Sequence, residues 1–399
     1  MSILQNLSKE FVRLKPGKEK PLLQKHPWIF SGAISSFPSA FEEGALFPVC
    51  SAEGHLLATA YFNKRCSLTG RVVAFGEQEP LLCIQEHLKR AVEKRKNWFS
   101  GQNTDAFRLI HGEADGLPGL VVDQYRDLLV LQSSTLGMDK LKFFIVPILQ
   151  ELLHPSAIFE KSTSASRKEE GLSESLGFLM GSARPEWEFM ENGIRFTLDV
   201  YQAQKTGFFL DQREMRALVR DLSRGKKVLN GFCYTGGFSL YAAFGGATFV
   251  HSVDISAEAI GRLEKHWQLN QVESCPHQNT VADLFRFLRE QTHLPYDLVI
   301  LDPPAFAKKK QDIVSACRGY KEINRQAMQK MANGSFLLTS SCSHFVDETL
   351  FRKVLFQAAL EARKEVQIVG SHHLAFDHPI HLSHPEGSYL KSYLLQIES

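Results

Sequence analysis

Hydrophobic and polar residues follow different patterns along the first hundred residues. From Phe11 to about Phe75, short β-like runs such as LLATAYF and GRVVAF alternate with turn residues, and helical spacing is scarce. This pattern predicts a small β-rich module. From Glu79 to Phe99, apolar residues recur at helical spacing opposite a basic face, which predicts a helix leaving the module.

The pattern changes again in the middle of the chain. Arg108 to Gln132 contains two β-runs around turns rich in Gly, Pro and Asp, and the helical segment DKLKFFIVPILQELL follows. The polar stretch Lys161 to Ser175 has little to bury and is predicted to be an exposed loop. After about Trp187, β-runs and helical runs alternate to the end, which predicts a parallel sheet with helices on both faces.

These changes predict an α/β protein of three domains, within the range that 399 residues allow. Residues 1–78 form the β-rich domain, 79–186 a central α/β domain, and 187–399 a doubly wound, Rossmann-like domain.

The composition predicts a soluble, folded protein without a membrane span. Hydrophobic residues make up 44% and charged residues 23% of the chain. The most apolar short run, Phe143 to Leu149, is far below the roughly 18 residues that a membrane span needs. The first twenty residues lack the apolar segment of a secretory signal, so a cytoplasmic location is expected.

Cysteine usage and charge narrow the function only slightly. The seven cysteines are dispersed without a CxxC pair, which predicts reduced thiols and neither a disulfide framework nor a metal site. A net charge of +2 is too mild to prove nucleic-acid binding, although local basic clusters can bind phosphate. Those clusters are Lys15 to Lys25, Lys89 to Lys96, Arg224 to Lys227 and Lys308 to Lys310.

The third predicted domain begins with a strand, a glycine turn, a helix and a second strand. The apolar run Val228 to Phe232 precedes the turn Tyr234 to Gly237, and the second run ends at Asp254. Glycines let a ligand approach the backbone, and an acid at the end of the second strand can accept hydrogen bonds from ribose hydroxyls. A glycine turn alone is weak evidence, because any doubly wound protein has such turns.

Two later carboxylates strengthen the prediction of a ligand site. Asp283 follows a third β-like run and can contact the base of the same ligand, although a helix N-cap is an equal alternative. Asp302 ends the apolar run DLVILD and opens a rigid Pro303-Pro304 turn, at the strand edge where open α/β sheets bind ligands. Its structural alternative is a turn-capping carboxylate.

Cys342 follows a fifth apolar run in SFLLTSSCSHF and is predicted at the same sheet edge as Asp302. A thiolate there can attack C6 of a pyrimidine and make C5 nucleophilic enough to accept a methyl group. On spacing alone, however, a lone cysteine at a strand end is more often a small core residue.

Taken together, VLNGFCYTGGFSLYAAFGGA, HSVDIS, YDLVILDPPAF, CRGYKEIN and SCSH resemble the class I methyltransferase domain of the RlmI family of large-subunit ribosomal RNA cytosine-C5 methyltransferases. The resemblance covers essentially the whole chain. KEKPLLQKHPWIFSGAI is similar to the family's N-terminal PUA domain, GEADGLPGLVVDQY to its central domain, KTGFFLDQR to the entry of the catalytic domain and HPEGSYLK to its last strands.

The resemblance implies that the cofactor is S-adenosylmethionine, that the substrate is ribosomal RNA bound with help from the PUA domain, and that Cys342 is the nucleophile with Asp302 beside it. It allows a homodimer without requiring one. The cofactor residues that it implies are Asn230, Phe232, Tyr234, Thr235, Gly236, Asp254, Ile255, Asp283 and Asp302. The substrate residues that it implies are Lys205, Thr206, Pro303, Pro304 and Phe306.

Two positions depart from the commonest family pattern. Ala305 stands in DPPAF where Lys is frequent, and Ala203 lies in the run before KTGFF where Gly is frequent. Both flank the expected substrate cleft, so they put the choice of nucleotide in doubt, but neither touches the expected nucleophile.

Three other functions compete with cytosine methylation. A methyltransferase acting on a guanine nitrogen would need the same cofactor site and would make Cys342 incidental. A nicotinamide-dependent oxidoreductase would use the glycine turn and Asp254, but the chain lacks a clean GxGxxG and gives DPPAF no role. A non-catalytic RNA-binding protein on the same fold is the third.

Overall fold

The computed structural model describes residues 10–398, so the predictions made for residues 1–9 and 399 lie outside the described residues. The described chain divides into two units that interleave along the sequence. One contains the residues up to Glu191 together with Thr197–Leu210 and Phe376–Gly387. The other contains Asn192–Phe196, Asp211–Ala375 and the residues from Ser388 on. The boundaries of the three predicted domains stay a prediction.

The first unit begins with a six-stranded sheet of order β2-β6-β5-β4-β1-β3, in which only β1 and β4 pair in parallel. The β-rich module predicted from the sequence is confirmed: β1 alternates buried and exposed positions, whereas β5 and β6 are mostly buried. The elements are β1 (Val12–Leu14), α1 (Lys20–Leu23), β2 (Trp28–Phe30), β3 (Ile34–Ser36), β4 (Leu46–Cys50), β5 (Leu56–Phe62) and β6 (Leu68–Phe75).

The predicted basic helix is confirmed as α2 (Pro80–Phe99), whose N-cap Glu79 accepts a hydrogen bond from the amide of Leu82. It packs with a five-stranded sheet of order β11-β10-β9-β8-β7. The elements are β7 (Ala106–His111), β8 (Leu120–Tyr125), β9 (Leu128–Ser133), α3 (Leu136–Leu153), β10 (Ala157–Ser162), α4 (Ser166–Glu169) and β11 (Ser175–Met180).

The exposed loop predicted from Lys161 to Ser175 is correct only in part. Lys161 and Ser162 belong to the buried strand β10, and the stretch forms α4 before β11 begins, although Lys168, Glu169 and Glu174 are exposed. Two of its charged residues are buried with partners that the sequence pattern does not reveal: Arg167 pairs with Asp139 at 2.7 Å, and Glu170 pairs with Arg71 at 2.8 Å.

A separate two-stranded sheet is formed by β12 (Trp187–Glu191) and β13 (Ile194–Leu198). The second unit then carries a seven-stranded sheet of order β16-β15-β14-β17-β18-β20-β19. The elements are α5 (Arg213–Leu222), β14 (Lys227–Gly231), α6 (Gly237–Phe244), β15 (Phe249–Asp254), α7 (Ala257–Leu269), β16 (His277–Val281), α8 (Leu284–Glu290), β17 (Leu298–Leu301), α9 (Ile313–Lys330), β18 (Phe336–Ser341), α10 (Glu348–Ala362), β19 (Val366–His372) and β20 (Lys391–Ile397).

The predicted doubly wound fold is confirmed, but the strict alternation to the end is wrong at both ends of the segment. No helix separates β12 from β13, and β20 follows β19 through a loop that holds only a short 3-10 turn. The strand β20 enters between β18 and β19 and runs antiparallel to both. This insertion brings the start of β20 beside the end of β18.

One hydrophobic core joins this sheet to three helices. Tyr320 and Ile323 of α9, Phe351 of α10 and Leu288 of α8 are fully buried with the strand residues Val299 and others of the same cluster. Throughout residues 10–398, no helix combines the length and the apolar character that crossing a membrane would require.

Candidate active site

The glycine turn after β14 has an unusual backbone. Phe232, Tyr234 and Gly236 all have left-handed φ angles, of 58°, 47° and 83°. A non-glycine residue in this region costs of order 1 kcal/mol or more, so such strain gathers where function requires it. A side chain at Gly236 would also meet Leu263 Cγ at 2.4 Å. The turn therefore ends in a residue that must be glycine, at the N-terminus of α6.

Asp254 at the end of β15 is held by the same turn. One carboxylate oxygen accepts the amide of Tyr234 at 2.8 Å and the other accepts the amide of Ser256 at 2.9 Å. Each oxygen can accept a further hydrogen bond. The carboxylate is thus fixed in orientation at the carboxyl edge of the sheet, with acceptor capacity left for a ligand.

Asn230, near the end of β14, and Thr235, within the turn, are both buried. Asn230 is 0% exposed, and its Nδ2 donates to Ser239 Oγ at 2.8 Å, which in turn shares a hydrogen bond with Ser252 Oγ. The Asn230 Oδ1 is buried and has no hydrogen-bond partner among residues 10–398. Thr235 is also buried, and its carbonyl accepts from His266 Nδ1 at 3.0 Å.

Beside Asp254 the edge of the sheet is apolar and open. Ile255 is 72% exposed, and Val281 at the end of β16 is also exposed. Asp283 is the N-cap of α8, because its Oδ1 accepts the amide of Arg286 at 2.9 Å. The helix-cap alternative for Asp283 is therefore correct. Its second carboxylate oxygen is not used by the cap, so the contact with an adenine base stays a prediction.

Asp302 follows β17 on the same edge. Its Oδ1 accepts a hydrogen bond from Gln212 Nε2 at 3.0 Å, and the same amide nitrogen lies 3.4 Å from Ser340 Oγ on β18. Gln212 thereby connects the carboxylate to the strand that carries the candidate nucleophile.

Cys342 lies directly after β18, and its thiol donates to the Pro303 carbonyl at 3.8 Å. The structure thus brings together Cys342 and the turn that Asp302 opens. The next residue, Ser343, fixes both segments: its hydroxyl contacts Tyr320 OH at 2.9 Å and accepts the amide of Ala307 at 3.2 Å.

The rest of the DPPAF turn packs around this point. The Phe306 ring lies 4.6 Å from the Tyr320 ring, whereas Pro304 is exposed. Burial raises the pKa of Tyr320. Ala305, where the family often has Lys, is half-buried.

Lys391, the first residue of β20, lies opposite Ser341 in the sheet. Its ammonium donates to the carbonyls of Ser343 and Tyr389, both at 2.8 Å. Burial lowers the pKa of Lys391 to about 8, and the nearby Cys342 thiolate acts in the opposite direction. This amine is therefore a neighbour of the candidate nucleophile.

A second cysteine lies at a strand end but in a different environment. Cys233 is buried after β14, and burial together with the negative charge of Asp254 raises its pKa well above the usual range. Cys233 is therefore a protonated, unreactive thiol at neutral pH.

The two expected substrate residues on the entry segment belong to the first unit. Lys205 is exposed, has a left-handed φ of 48° and lies with Nζ 5.1 Å from the centre of the Phe209 ring. Thr206 is buried and donates to Asp123 Oδ2 at 2.5 Å. Lys161 donates to the carbonyl of Ala203, where the family often has Gly.

Sequence reasoning missed Gln212 and Lys391. Both lie in segments that carried the resemblance, KTGFFLDQR and HPEGSYLK, which was the only signal for them. No group of three or more potential metal ligands occurs within residues 10–398.

Comparison with known proteins places this geometry in a family. Residues 170–362 match the model of the S-adenosylmethionine-dependent methyltransferases, and residues 12–75 match a PUA-like domain. Ribosomal RNA large subunit methyltransferase I of Shewanella denitrificans is 38% identical over 393 residues, which cover 97% of this chain and 99% of that protein. The protein of the same name from Erwinia tasmaniensis is 36% identical, covering 96% and 98%.

Solved structures show the same fold. A protein from Streptococcus mutans described as a candidate S-adenosylmethionine-dependent methyltransferase has a TM-score of 0.82 at 23% identity, covering 96% of this chain and 99% of that one. A candidate methyltransferase complexed with S-adenosylhomocysteine has a TM-score of 0.83 at 23% identity, with the same coverage. The resemblance, the PUA-like module and the methyl donor predicted from the sequence are confirmed, and the chain belongs to the family of ribosomal RNA large subunit methyltransferase I.

Proposed function

We propose that this enzyme methylates C5 of a cytosine in large-subunit ribosomal RNA, with S-adenosylmethionine as methyl donor and Cys342 as nucleophile. The observation that carries the proposal is that the Cys342 thiol contacts the Asp302-Pro303 turn at the carboxyl edge of the sheet. The names of the relatives support the RNA class. A nicotinamide-dependent oxidoreductase and a non-catalytic protein are both wrong, because the family is one of methyltransferases.

The residues after β14, β15 and β16 fit the methyl donor. Asp254, fixed by two amides, would accept the ribose hydroxyls, and the exposed Ile255 offers an apolar surface for a flat base next to Asp283. The unpartnered Asn230 Oδ1 is buried near the end of β14, just before the turn, and a donor group of the bound cofactor would satisfy it. When bound, S-adenosylmethionine supplies an electrophilic methyl group on a positively charged sulfur. The cofactor residues proposed are Asn230, Phe232, Tyr234, Thr235, Gly236, Asp254, Ile255, Asp283 and Asp302.

The chemistry requires a nucleophile because C5 of cytosine does not accept a methyl group unaided. The Cys342 thiolate adds to C6, and the electron pair of the C5–C6 double bond makes C5 nucleophilic. Asp302 keeps a proton at N3 of the ring and so increases the electrophilicity of C6. After methylation a base removes the C5 proton, the S–C6 bond breaks, and the double bond and the thiolate are restored. Pro303, Pro304 and Phe306 line the base, and Lys205 and Thr206 contact the RNA.

Methylation of a guanine nitrogen is the competing reaction on the same cofactor site. A ring nitrogen already carries a lone pair, so that reaction needs neither a thiolate nor an adduct. The presence or absence of a covalent intermediate therefore separates the two reactions.

Covalent trapping tests the proposal directly. Wild-type enzyme incubated with S-adenosylmethionine and large-subunit ribosomal RNA that contains 5-fluorocytidine should form a protein–RNA band that resists denaturation, because fluorine cannot leave C5 as a proton does. Cys342→Ala should abolish the band, and Cys233→Ala, the matched control, should retain it. A Cys342→Ala enzyme that still methylates at the wild-type rate would favour guanine methylation.

We also propose that the division into domains 1–78, 79–186 and 187–399 reflects separate tasks, with the PUA-like module and α2 binding RNA. The exposed Arg90 and half-buried Lys94 lie one turn apart on α2 and line a cavity of about 320 Å³ with Lys25 of the PUA-like module. Glu113 and Asp115 line the same cavity, and Asp115 is paired with Arg95, so the three cations outnumber the carboxylate that remains and favour a phosphate backbone as ligand. Deleting the module is a poor test, because Tyr61 and Val73 are buried in the same core as α2.

Paired charge removal is the cleaner test of this RNA surface. Arg90→Ser with Lys94→Ser should weaken binding of large-subunit ribosomal RNA and flatten its salt dependence by about 0.7 to 0.9 in slope per lost contact. Lys89→Ser with Lys96→Ser removes the same charge from α2 outside the cavity. Equal losses in both double variants would mean that only overall charge matters.

A cytoplasmic location and a homodimer complete the proposal. The ribosomal RNA substrate supports the location, which a fluorescent fusion of the full chain would test. The homodimer rests on the resemblance alone, and sedimentation of the full chain over a concentration series would decide it.

A further inference from the structure

The ammonium of Lys391 occupies a position that is costly unless it has a counter-charge. Lys391 is 4% exposed, and its two hydrogen-bond acceptors are neutral carbonyls. It takes part in none of the ion pairs between residues 10–398. Buried ammonium groups in proteins usually pair with an anion, because burial without one sacrifices their hydration.

Among the groups that can carry negative charge, the candidate nucleophile Cys342 attracts the Lys391 ammonium most strongly. Lys391 Nζ binds the carbonyl of Ser343, the residue after Cys342, and Lys391 lies opposite Ser341, the residue before it. The backbone on either side of the thiol is therefore in contact with the lysine or paired with its strand.

Of the titratable groups around Lys391, the Cys342 thiolate attracts the ammonium most. Asp347 and Glu348 at the start of α10 attract Lys391 more weakly than the Cys342 thiolate does. Tyr320 of α9 is kept neutral by burial and can stabilise the thiolate only as a polar neighbour through Ser343. Asp302 faces Gln212 with one oxygen.

We propose that Lys391 is the counter-ion of the Cys342 thiolate and keeps the nucleophile ionised at neutral pH. A cation beside a thiol favours its ionised form, and a thiolate is the species that attacks C6. The lysine acts through the cysteine and is a positioning residue in this role. The inference deepens the proposed C5 mechanism and rests on it for its effect on turnover, but the ionisation of the thiol can be measured without RNA.

The pH dependence of alkylation measures that ionisation. Iodoacetamide labelling of Cys342 in the cofactor-free enzyme, followed by mass spectrometry of the peptide, should give a midpoint below the ordinary thiol value of about 8.5. Cys342→Ser under the same conditions identifies the peptide signal. A wild-type midpoint at or above the ordinary value would overturn the proposal whatever the variants do.

Two substitutions at Lys391 separate charge from packing. Lys391→Met keeps the aliphatic stem and should raise the midpoint by roughly one to two pH units, whereas Lys391→Arg keeps the charge and should stay near wild type. Lys161→Met is the matched control, because Lys161 is also buried against carbonyls with a pKa lowered to about 8 by burial, but in the first unit. It should leave the midpoint unchanged.

Turnover supplies the second readout. Methylation by Lys391→Met should fall roughly tenfold at pH 7 and recover as the pH rises toward 9, because higher pH ionises the thiol without help. A loss that higher pH does not repair, or an unchanged midpoint in Lys391→Met, would contradict the proposal. A shifted midpoint with unchanged methylation would instead refute the C5 mechanism and leave the ion pair standing.

Discussion

Two pairs of adjacent strand ends in the second unit, those of β14 and β15 and those of β17 and β18, each carry a cysteine and an aspartate but differ in their electrostatics. After β14, Cys233 lies beside Asp254, and burial, together with the negative charge of Asp254, raises the pKa of the thiol and keeps it protonated. After β18, Cys342 lies partly open beside the turn of Asp302 and the ammonium of Lys391. A thiol beside an anion is inert, and a thiol beside a cation is a nucleophile.

If Cys342 is the nucleophile, as proposed, the comparison teaches that burial and neighbouring charge, and not the strand-end position, distinguish it from Cys233. The Asp254 end is organised by backbone amides, which suits a site that binds a ligand of fixed shape. The Asp302 end is organised by side chains, namely Gln212 and Ser343, which suits a site where protons move. Binding and chemistry are thus expected to separate between the two ends.

The largest expected effect is the loss of the nucleophile. Cys342→Ala should lower kcat at least about a thousandfold, since removing a covalent nucleophile leaves only binding and orientation. The dissociation constant of S-adenosylmethionine should stay at the wild-type value, because the Asp254 end is intact. Single-turnover methylation and calorimetric titration of the same preparation would measure both. A parallel loss of cofactor affinity would mean that the two ends are not independent.

The carboxylate at the chemical end should come next. Asp302→Asn should slow adduct formation on RNA roughly a hundredfold or more, because the amide cannot keep a proton at N3 as a carboxyl group does. The rate of band formation with 5-fluorocytidine RNA measures this step. Gln212→Ala, which removes only the hydrogen bond that orients Asp302, should give a smaller loss of the same kind. Normal adduct formation in Asp302→Asn would remove it from the chemistry.

At the binding end, Asp254→Ala should weaken the binding of S-adenosylmethionine by about 1.5–3 kcal/mol, which raises the dissociation constant roughly 10- to 150-fold. Asp254→Asn is the milder companion, because it can still accept from one of the two amides that the aspartate now binds. Calorimetry against folded protein would decide. An unchanged dissociation constant in Asp254→Ala would place the ribose elsewhere.

The sequence predicted one of these ends better than the other. The strand, glycine turn and Asp254 are consecutive in the chain, so spacing alone located them, and the Asp283 cap was an explicit alternative. Lys391 lies 49 residues after Cys342, and only the antiparallel entry of β20 beside β18 brings them together. Strict alternation of strands and helices predicted that the last strand runs parallel to its neighbours, so it did not predict that Lys391 at the start of β20 lies near the end of β18.

Long-range pairing also explains the other error. The charges of Lys161 to Ser175 indicated solvent because their partners, Arg71 and Asp139, lie in distant segments. Periodicity records whether a side chain is polar but not whether the fold supplies its partner. Motif resemblance was therefore needed for Gln212 and Lys391, and contacts were needed to give them roles.

The smallest expected effect comes from changing Cys233, the unreactive cysteine of the comparison. Cys233→Ala removes a buried sulfur whose only hydrogen-bond acceptor among residues 10–398 is the Tyr234 carbonyl, so the free energy of unfolding should fall by only about 1 kcal/mol. Methylation and cofactor affinity should stay at wild-type values, since the thiol is protonated and the Asp254 contacts to the turn are backbone amides. Urea unfolding and turnover on the same sample would measure both.

Because the pKa of Cys233 is raised, its alkylation in the folded wild type should remain slow at pH 7 to 8 while Cys342 is labelled. Rapid labelling of Cys233 there, or loss of methylation in Cys233→Ala, would show that neighbouring charge does not choose between the two thiols.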